Sequence, residues 1–411
     1  MSESLHTLIV GGGAAGIFAA IQIKSLLPSA HVLVLEKQGQ LLSKVKVSGG
    51  GRCNVTHACW TPRELVQYYP RGQKELLGPY HKFMTGDMMH WLSERGVPTK
   101  IEEDGRVFPE SNQSQTIIDC FLSEAKRLGV EIHTKEGVKS VIAEEEGFVV
   151  ASSLKEYHAA NVLWATGSTP SALKLLETLS VPLTDRVPSL FAFDIPLPWL
   201  NQLAGISLPE VTVSLPLTNM ETSGPLLITH KGLSGPGILK LSSWAAYELA
   251  EIHYQFRIML NWVGESMEGI LFQIEAQRKQ KGARKVLLTP LYALPKRLWR
   301  ALLIAARIHE ENWADLTKEQ IYSLGQVLGA HDLPVKGKST HKEEFVTAGG
   351  VDTKFINFTR MEHRQHPGLF FAGEVLNIDA LTGGFNFQAA WTTAWIAAHA
   401  IAEQTLNQQN T

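Results

Sequence analysis

The sequence predicts an α/β protein in which one domain is interrupted by another. Three observations carry this prediction. The chain begins with a strand, a glycine loop, a helix and a second strand; the pattern lapses over a long middle span; and a late strand and helix resume it. At 411 residues, the chain is long enough for two or three domains, because a domain usually takes about 150 residues.

Composition restricts the class of protein further. Hydrophobic residues make up 44% of the chain and charged residues 19%, which is too apolar for a disordered protein. The apolar stretch from Leu8 to Ala20 is cut by three glycines and is shorter than the roughly 20 residues of a membrane span. No basic segment of a signal peptide precedes it. We therefore expect a cytoplasmic protein without a membrane partner.

Charge and cysteine usage argue against two kinds of partner. The 38 Lys and Arg residues nearly balance the 40 Asp and Glu residues, so the chain lacks the overall positive charge typical of nucleic-acid binding. We therefore expect a small-molecule substrate and no nucleic acid. The three cysteines contain no C-x-x-C spacing, and we expect no metal site and free thiols. A redox role of Cys53 and Cys59 stays open.

The first motif is a phosphate-binding glycine loop. Gly11, Gly13 and Gly16 form G-x-G-x-x-G between the strand Leu8–Val10 and a helical run. Such glycines permit a tight turn, let a pyrophosphate approach the backbone, and allow close packing of helix and strand. A second strand ends at Glu36, where a ribose-binding carboxylate belongs. This predicts a Rossmann-like dinucleotide site, for FAD or NAD, which also includes Ala14, Ala15 and Lys37.

A second glycine segment follows soon after Glu36. It runs from Lys44 to Thr56, and we expect its serine, its three glycines, Arg52 and Asn54 to form a loop that brings backbone amides and the Arg52 cation close to a flat or anionic ligand. Its core, Ser-Gly-Gly-Gly-Arg-Cys-Asn-Val-Thr, resembles the signature of BaiN-like flavoproteins, which overlap the aminoacetone oxidase family of FAD-binding enzymes. The resemblance implies that the flavin side of FAD is wrapped by Lys44, Ser48, Gly49, Gly50, Gly51, Arg52, Cys53 and Asn54.

Two further segments of the first half resemble FAD domains of the glutathione-reductase type. Three β-rich runs between Val138 and Leu163 resemble their three-stranded meander, which implies that the backbone near Val138 meets the adenine. A buried strand then ends in Ala165, Thr166 and Gly167, where the chain turns beside the cofactor in the family. The family usually continues with a second glycine, whereas Ser168 stands here.

The middle span predicts an inserted domain. We assign residues 1–187 and 345–411 to the FAD-binding domain, and 188–344 to an inserted substrate-side domain. The insert is expected to be β-rich over 188–265 and helical over 266–344. Its Thr-His-Lys-Gly-Leu-Ser-Gly-Pro motif, beginning at Thr229, resembles a family element and contains His230, which is either an acid–base group or a structural residue.

The chain then returns to the cofactor. A strand ending at Phe371 precedes Gly373 and Glu374, and a long apolar helix opens with Gly383, Gly384, Phe385 and Asn386. In FAD folds of this class, such a carboxylate accepts hydrogen bonds from ribitol hydroxyls. The N-terminus of such a helix stabilises the negative charge of reduced flavin near N1 and O2.

These features predict an FAD-dependent oxidoreductase that transfers hydride between a small organic substrate and the flavin. Its second redox partner is open between NAD(P)H and O2, and no catalytic base is assigned, although His57, His230 and Arg52 are candidates. One alternative is a flavin-dependent RNA-modifying enzyme with a basic groove on the insert, formed by Lys281, Arg284, Lys285, Lys296, Arg297 and Arg300. The other is a non-catalytic FAD-binding protein.

Overall fold

The computed structural model describes residues 5–339 and 346–409. The chain divides into two compact units. Residues 1–187 and 346–411 form what we call the nucleotide-binding unit, and residues 188–345 form the inserted unit. Each unit has its own cluster of buried hydrophobic side chains.

The first part of the nucleotide-binding unit alternates strands and helices, because its short β-branched runs are separated by helical segments with glycine or proline at their ends. In chain order the elements are β1 (Leu5–Val10), α1 (Ala14–Leu26), β2 (Val32–Glu36), α2 (Ser43–Gly51), β3 (Thr56–His57), α3 (Pro62–Leu65), α4 (Gln73–Tyr80), α5 (Thr85–Ser93), β4 (Thr99–Ile101), β5 (Arg106–Pro109), α6 (Ser114–Arg127), β6 (Glu131–Thr134), β7 (Val138–Glu144), β8 (Gly147–Ser152), β9 (Glu156–Trp164), α7 (Pro170–Glu177) and β10 (Leu183–Ser189).

The inserted unit is an antiparallel sheet with helices. Its strand order is β16-β15-β12-β13-β14-β11-β17. The elements are β11 (Ala192–Asp194), α8 (Pro198–Asn201), β12 (Ser207–Leu215), β13 (Met220–Ile228), β14 (Gly232–Ser234), α9 (Pro236–Trp244), α10 (Ala246–Glu251), β15 (Phe256–Asn261), α11 (Met267–Lys281), α12 (Lys296–Ala305), α13 (Lys318–Gly329), β16 (His331–Val335) and β17 (Gly337–Ser339). Helices α11, α12 and α13 lie in the span 266–344 that is expected to be helical. Strands β16 and β17, however, lie in the span expected to be helical.

The chain then re-enters the nucleotide-binding unit. The returning elements are β18 (Val346–Val351), β19 (Ile356–Asn357), β20 (Glu362–His363), β21 (Leu369–Phe371) and α14 (Phe385–Gln409). Strand β18 pairs with β10, and β21 pairs in parallel with β9. The expectation that a late strand and helix return to the first sheet is therefore confirmed.

The central sheet has the order β19-β20-β21-β9-β1-β2-β6. Strands β21, β9, β1, β2 and β6 run parallel, so their carboxyl ends meet at one edge. Strands β7, β8 and β9 form the antiparallel meander expected from the sequence. A doubly wound parallel sheet with a meander is the Rossmann-like α/β class that the sequence predicts.

Helices α1 and α14 pack against each other beside this sheet. Nearly every residue of α1 is buried, because the helix lies between the sheet and other helices. Phe18 of α1 contacts Trp91 at 5.2 Å and Trp391 at 5.6 Å, measured between ring centroids, in edge-on geometry. This aromatic packing fixes the N-termini of both helices relative to the sheet edge.

Candidate cofactor site at the carboxyl edge of the parallel sheet

The glycine loop after β1 has the geometry that its sequence predicts. Gly11 has φ +109°, and a Cβ there would lie 2.6 Å from the carbonyl oxygen of Ala165. A Cβ on Gly16 would lie 2.0 Å from the oxygen of Gly11. At Gly13, by contrast, a Cβ would meet no atom within 4 Å. The first and third glycines therefore permit close packing, while the second faces open space at the N-terminus of α1.

Glu36 and Lys37 lie at the end of β2 beside this loop. The Glu36 carboxylate accepts hydrogen bonds from the backbone amides of Gly12 at 2.8 Å and Gln38 at 2.7 Å. The stem of Lys37 lies against Gly137, directly before Val138, where a Cβ would come within 3.1 Å of Lys37 Cγ. The residues expected at the ribose and adenine end are thus brought together, and their roles toward a nucleotide stay predictions.

The second glycine segment is not simply a loop. Ser43–Gly51 forms helix α2, which Ser48, Gly49 and Gly50 interrupt with non-helical backbone angles. The expected loop therefore begins at Ser48, and the helical turn before it contains Val45, which is fully buried. Gly49, Gly50 and Gly51 all have positive φ, and a Cβ on Gly50 or Gly51 would face open space.

The surroundings of Arg52 and Cys53, near the end of this segment, restrict the charge of the first and the reactivity of the second. Arg52 forms an ion pair with Glu102 at 2.6 Å and stacks over Phe108 at 3.9 Å from the ring centroid. Its charge is therefore balanced inside the protein. Burial raises the pKa of the Cys53 thiol to about 12, so this thiol stays protonated at neutral pH and is a poor redox nucleophile. Cys53 and Cys59 are both free thiols.

A group of charged side chains lies where β9 and β21 end. Lys44 forms an ion pair with Glu374, and the carboxylate of Glu374 also lies beside Gly167. Arg186 of β10 interacts electrostatically with Glu374, and burial lowers the pKa of its guanidinium. Glu374 Oε1 and Arg186 Nε are buried and have no hydrogen-bond partner among residues 5–339 and 346–409. Because buried polar atoms are normally paired, these two atoms indicate a polar ligand.

Helix α14 begins beside the second glycine segment. A Cβ on Gly384 would lie 2.6 Å from the oxygen of Thr56 and 2.8 Å from Asn54 Oδ1. Asn54 Oδ1 is itself buried, and the described part of the chain offers it no hydrogen-bond partner. The Asn386 side chain pairs with the backbone of Ala380 at 3.0 and 3.1 Å, so it shapes the turn before the helix. The glycines let the chain approach Asn54 closely, which brings the helix N-terminus to this polar atom.

Three flat rings stack at the mouth of α14. Phe385 stacks on Tyr68 at 4.1 Å and on His57 at 4.6 Å, measured between centroids. Burial lowers the pKa of His57, and Cys59 Sγ lies 3.6 Å from its Nδ1. Burial also raises the pKa of Tyr68. His57 is therefore neutral at pH 7 and able to accept a proton, while Tyr68 is protonated and keeps a proton to donate.

The sequence prediction missed two of these groups. Arg186 and Tyr68 lie at the site, although neither belongs to a local motif that marks it. His230, a candidate acid–base group, is exposed in the inserted unit, and its role stays a prediction. Within residues 5–339 and 346–409, no cluster of three or more metal-binding side chains is found. In the same ranges, no helix has the length and apolarity needed to cross a bilayer.

These residues fit FAD. Open space above Gly13 suits a pyrophosphate at a helix N-terminus. The unpaired atoms of Asn54, Glu374 and Arg186 suit a ligand with several polar groups. A nicotinamide dinucleotide would also bind at the loop after β1. The polar groups at the N-terminus of α14, however, extend the site further along the sheet edge, which suits the flavin of FAD.

Comparison with known proteins agrees with this geometry. The chain is 30% identical to a ribosomal RNA dihydrouridine synthase of Haemophilus influenzae, covering 98% of this chain and 100% of that one. It is 28% identical to the Escherichia coli protein of the same name, covering 96% and 98%. It is 26% identical to a 3-dehydro-bile acid delta(4,6)-reductase of Clostridium scindens, again covering 96% and 98%.

Solved structures show the same fold. A 3-ketosteroid-delta4-(5alpha)-dehydrogenase of Rhodococcus jostii superposes with a TM-score of 0.53 at 13% identity, covering 98% of each chain. The family described as "HI0933-like protein Rossmann domain" matches residues 5–400. The BaiN-like resemblance, the fold class and the FAD cofactor expected from the sequence are thereby confirmed. The chain belongs to the HI0933-like family of Rossmann-fold, FAD-dependent oxidoreductases.

Proposed function

We propose that this enzyme reduces a carbon–carbon double bond conjugated to a carbonyl group, and that its substrate is a uracil base in ribosomal RNA. The observation that carries the proposal is the reaction shared by the full-length relatives. Dihydrouridine is uridine with its C5–C6 double bond reduced, and a delta(4,6)-reductase reduces carbon–carbon double bonds. In both cases the bond can be polarised by a carbonyl group, which makes its far carbon accept hydride.

The residues at the sheet edge supply binding and electrostatics for this reaction. FAD supplies a hydride at N5 when bound and reduced. We assign the pyrophosphate to Gly11, Gly13, Ala14, Ala15 and Gly16. The ribose and adenine are assigned to Glu36, Lys37 and Val138. The flavin and ribitol are assigned to Lys44, Ser48, Gly49, Gly50, Gly51, Arg52, Cys53, Asn54, Ala165, Thr166, Gly167, Gly373, Glu374, Gly383, Gly384, Phe385 and Asn386.

The substrate needs one hydride and one proton. In uracil the hydride goes to C6, the electron pair of the double bond moves toward the C4 carbonyl, and a proton adds at C5. Tyr68 keeps its hydroxyl proton at the N-terminus of α14 and can supply this proton, whereas neutral His57 can only donate a hydrogen bond or accept a proton. The backbone amides at the start of α14 would stabilise the negative charge that reduced flavin carries near N1 and O2.

Ribosomal RNA is the first candidate substrate because the two relatives with the higher identities carry that name. A small cyclic enone is the second candidate, favoured by the bile-acid reductase relative. Electrons for either substrate come from NADH or NADPH bound transiently at the flavin, which fits a chain with one dinucleotide loop of the G-x-G-x-x-G type.

The test starts with the purified flavoprotein under anaerobic conditions. The flavin is reduced with NADH or NADPH and mixed with protein-free ribosomal RNA or with a 3-keto-Δ4 steroid. Mass spectrometry of digested nucleosides detects dihydrouridine by its two added hydrogens. Dihydrouridine formation supports the first substrate, and saturation of the steroid supports the second. If neither product forms while O2 reoxidises the flavin rapidly, the proposed reaction is wrong and the protein is an oxidase.

A further inference from the structure

One span of the inserted unit carries an unusual local charge. Residues 276–309 contain nine of the chain's 38 Lys and Arg residues and none of its 40 Asp and Glu residues. The nine are Arg278, Lys279, Lys281, Arg284, Lys285, Lys296, Arg297, Arg300 and Arg307. The rest of the chain is therefore strongly acidic in balance, and the positive charge is concentrated in this span.

The fold holds the two ends of this span together. Arg278, Lys279 and Lys281 lie in the last turn of α11. The loop after it packs on α12, where Trp299 Nε1 donates a hydrogen bond to the oxygen of Val286 at 3.0 Å. Helix α12 buries Leu298, Trp299, Leu302 and Leu303, and exposes its basic residues on the other side. We call this surface, made by the end of α11, the loop and α12, the basic face.

Most of these cations are not used inside the protein. Arg278 pairs with Glu275 at 3.5 Å, Lys285 pairs with Glu310 at 3.5 Å, and Arg297 donates to the backbone oxygen of Gln202. Six others make no ion pair with any carboxylate in the described residues: Lys279, Lys281, Arg284, Lys296, Arg300 and Arg307. All six are exposed. They are therefore available to an external anion.

The basic residues at the start of α12 also interact unfavourably with the helix dipole. Lys296 and Arg297 occupy its first turn, and no acidic residue is present there. Cations at a helix N-terminus oppose the macrodipole and lower helix stability. Lys296 and Arg297 therefore do not stabilise the helix in which they lie. A binding role would explain why cations occupy these positions.

We propose that the basic face binds the phosphate backbone of RNA and holds the substrate RNA on the inserted unit. This inference rests on the proposed function, since it identifies how a macromolecular substrate is held. Arginine and lysine neutralise phosphates and release counterions, which gives binding that weakens as salt rises. Exposed Leu288 and Ile304 lie within the same span and give it an apolar component as well.

The test measures RNA affinity of the complete FAD-containing protein. Protein-free ribosomal RNA is titrated at 50 and 200 mM KCl with the wild type and with Lys296→Gln/Arg300→Gln. Each lost phosphate contact lowers the slope of log affinity against log salt by about 0.7–0.9. Losing two contacts makes the affinity drop between the two salt concentrations about tenfold smaller. We also expect at least tenfold weaker binding at 50 mM KCl.

Two variants control for charge and folding. Lys74→Gln/Lys126→Gln removes two exposed lysines from the nucleotide-binding unit and should leave RNA affinity unchanged. Arg284→Gln/Arg307→Gln removes a second pair from the basic face and should repeat the loss. Equal RNA affinity of wild type and both basic-face variants would overturn the inference. So would loss of binding to vesicles of phosphatidylserine and phosphatidylcholine in those variants with RNA binding unchanged, which would assign the face to a membrane surface.

The same samples separate this inference from the proposed function. If basic-face variants lose RNA binding but no sample forms dihydrouridine, the binding surface stands and the reaction is wrong. If dihydrouridine forms equally well in all variants with unchanged RNA affinity, the reaction stands and the binding surface is wrong.

Discussion

Replacing Gly13 with alanine tests the position of the FAD pyrophosphate directly. Gly13 has φ −83° and ψ −168°, an extended conformation that alanine adopts without strain. An added Cβ would meet no atom within 4 Å in the protein. It would, however, project into the space above the N-terminus of α1, where we propose that the pyrophosphate binds. The variant should therefore fold normally and bind FAD poorly.

The size of the effect follows from the hydrogen bonds at risk. A pyrophosphate displaced by one methyl group loses at least one charge-assisted bond to a backbone amide, which contributes about 1.5–3 kcal/mol. At about 1.4 kcal/mol per factor of ten, the dissociation constant of FAD should rise roughly 10- to 150-fold. The stability of the FAD-free protein should fall by less than about 1 kcal/mol, because only a helix N-cap residue changes.

The assay titrates FAD into FAD-free protein by flavin fluorescence and measures unfolding in urea without FAD. Gly78→Ala on α4 is the matched control, because its Cβ would also meet no atom within 4 Å. It should leave FAD affinity unchanged. Gly16→Ala gives the opposite pattern, since its Cβ would lie 2.0 Å from the oxygen of Gly11 and must destabilise the FAD-free protein. Wild-type FAD affinity in Gly13→Ala would refute this position of the pyrophosphate.

Three further changes test other parts of the molecule. Asp379→Asn leaves the nearly buried Arg71 without its bidentate partner, so the unfolding free energy in urea should fall by about 3–5 kcal/mol, and a loss below about 1 kcal/mol would contradict a buried ion pair. Burial lowers the pKa of His331 to about 4, and its Nδ1 accepts a hydrogen bond from Trp262. Its stabilising contribution is complete above pH 6.5 and is lost as pH falls toward 4, by up to about 3 kcal/mol. The pH dependence of unfolding should shrink in His331→Gln, and an unchanged dependence would assign it to other groups. Glu374→Gln should weaken FAD binding about tenfold by removing a buried acceptor, with stability within about 1 kcal/mol, and unchanged affinity would remove this residue from the site.

Sequence reasoning succeeded where local backbone geometry determines the structure. Gly11 and Gly16 are glycines because a Cβ would collide with neighbouring backbone, and such constraints leave a pattern in the sequence. The meander β7–β9 and the helix α12 likewise follow from strand and helix periodicities. These features do not require knowledge of distant contacts.

Sequence reasoning failed where contacts between residues far apart in the chain determine the local structure. The sequence does not reveal the helical turn before Ser48, which is held by burial of Val45 and by a hydrogen bond from Ser114 to the oxygen of Lys46. It also does not reveal that Arg52, which we assign to the proposed cofactor site, pairs with Glu102, fifty residues away. Arg186 lies in an ordinary strand sequence, and only folding brings it beside Glu374.

The expectation that no nucleic acid binds stays a prediction, and the basic face argues against the reasoning behind it. It rested on the net charge of −2 for the whole chain, and that quantity averages over distances far larger than those on which charges act. At physiological salt, exposed charges are screened beyond about 8 Å. A phosphate on the basic face therefore experiences those cations that lie near it among the six without an ion pair in the described residues, and acidic residues of the rest of the surface contribute little. Whether a chain can bind RNA depends on the local density of positive charge on one surface. The net charge of the whole chain also counts the acidic residues of the remaining surface, which do not meet the RNA.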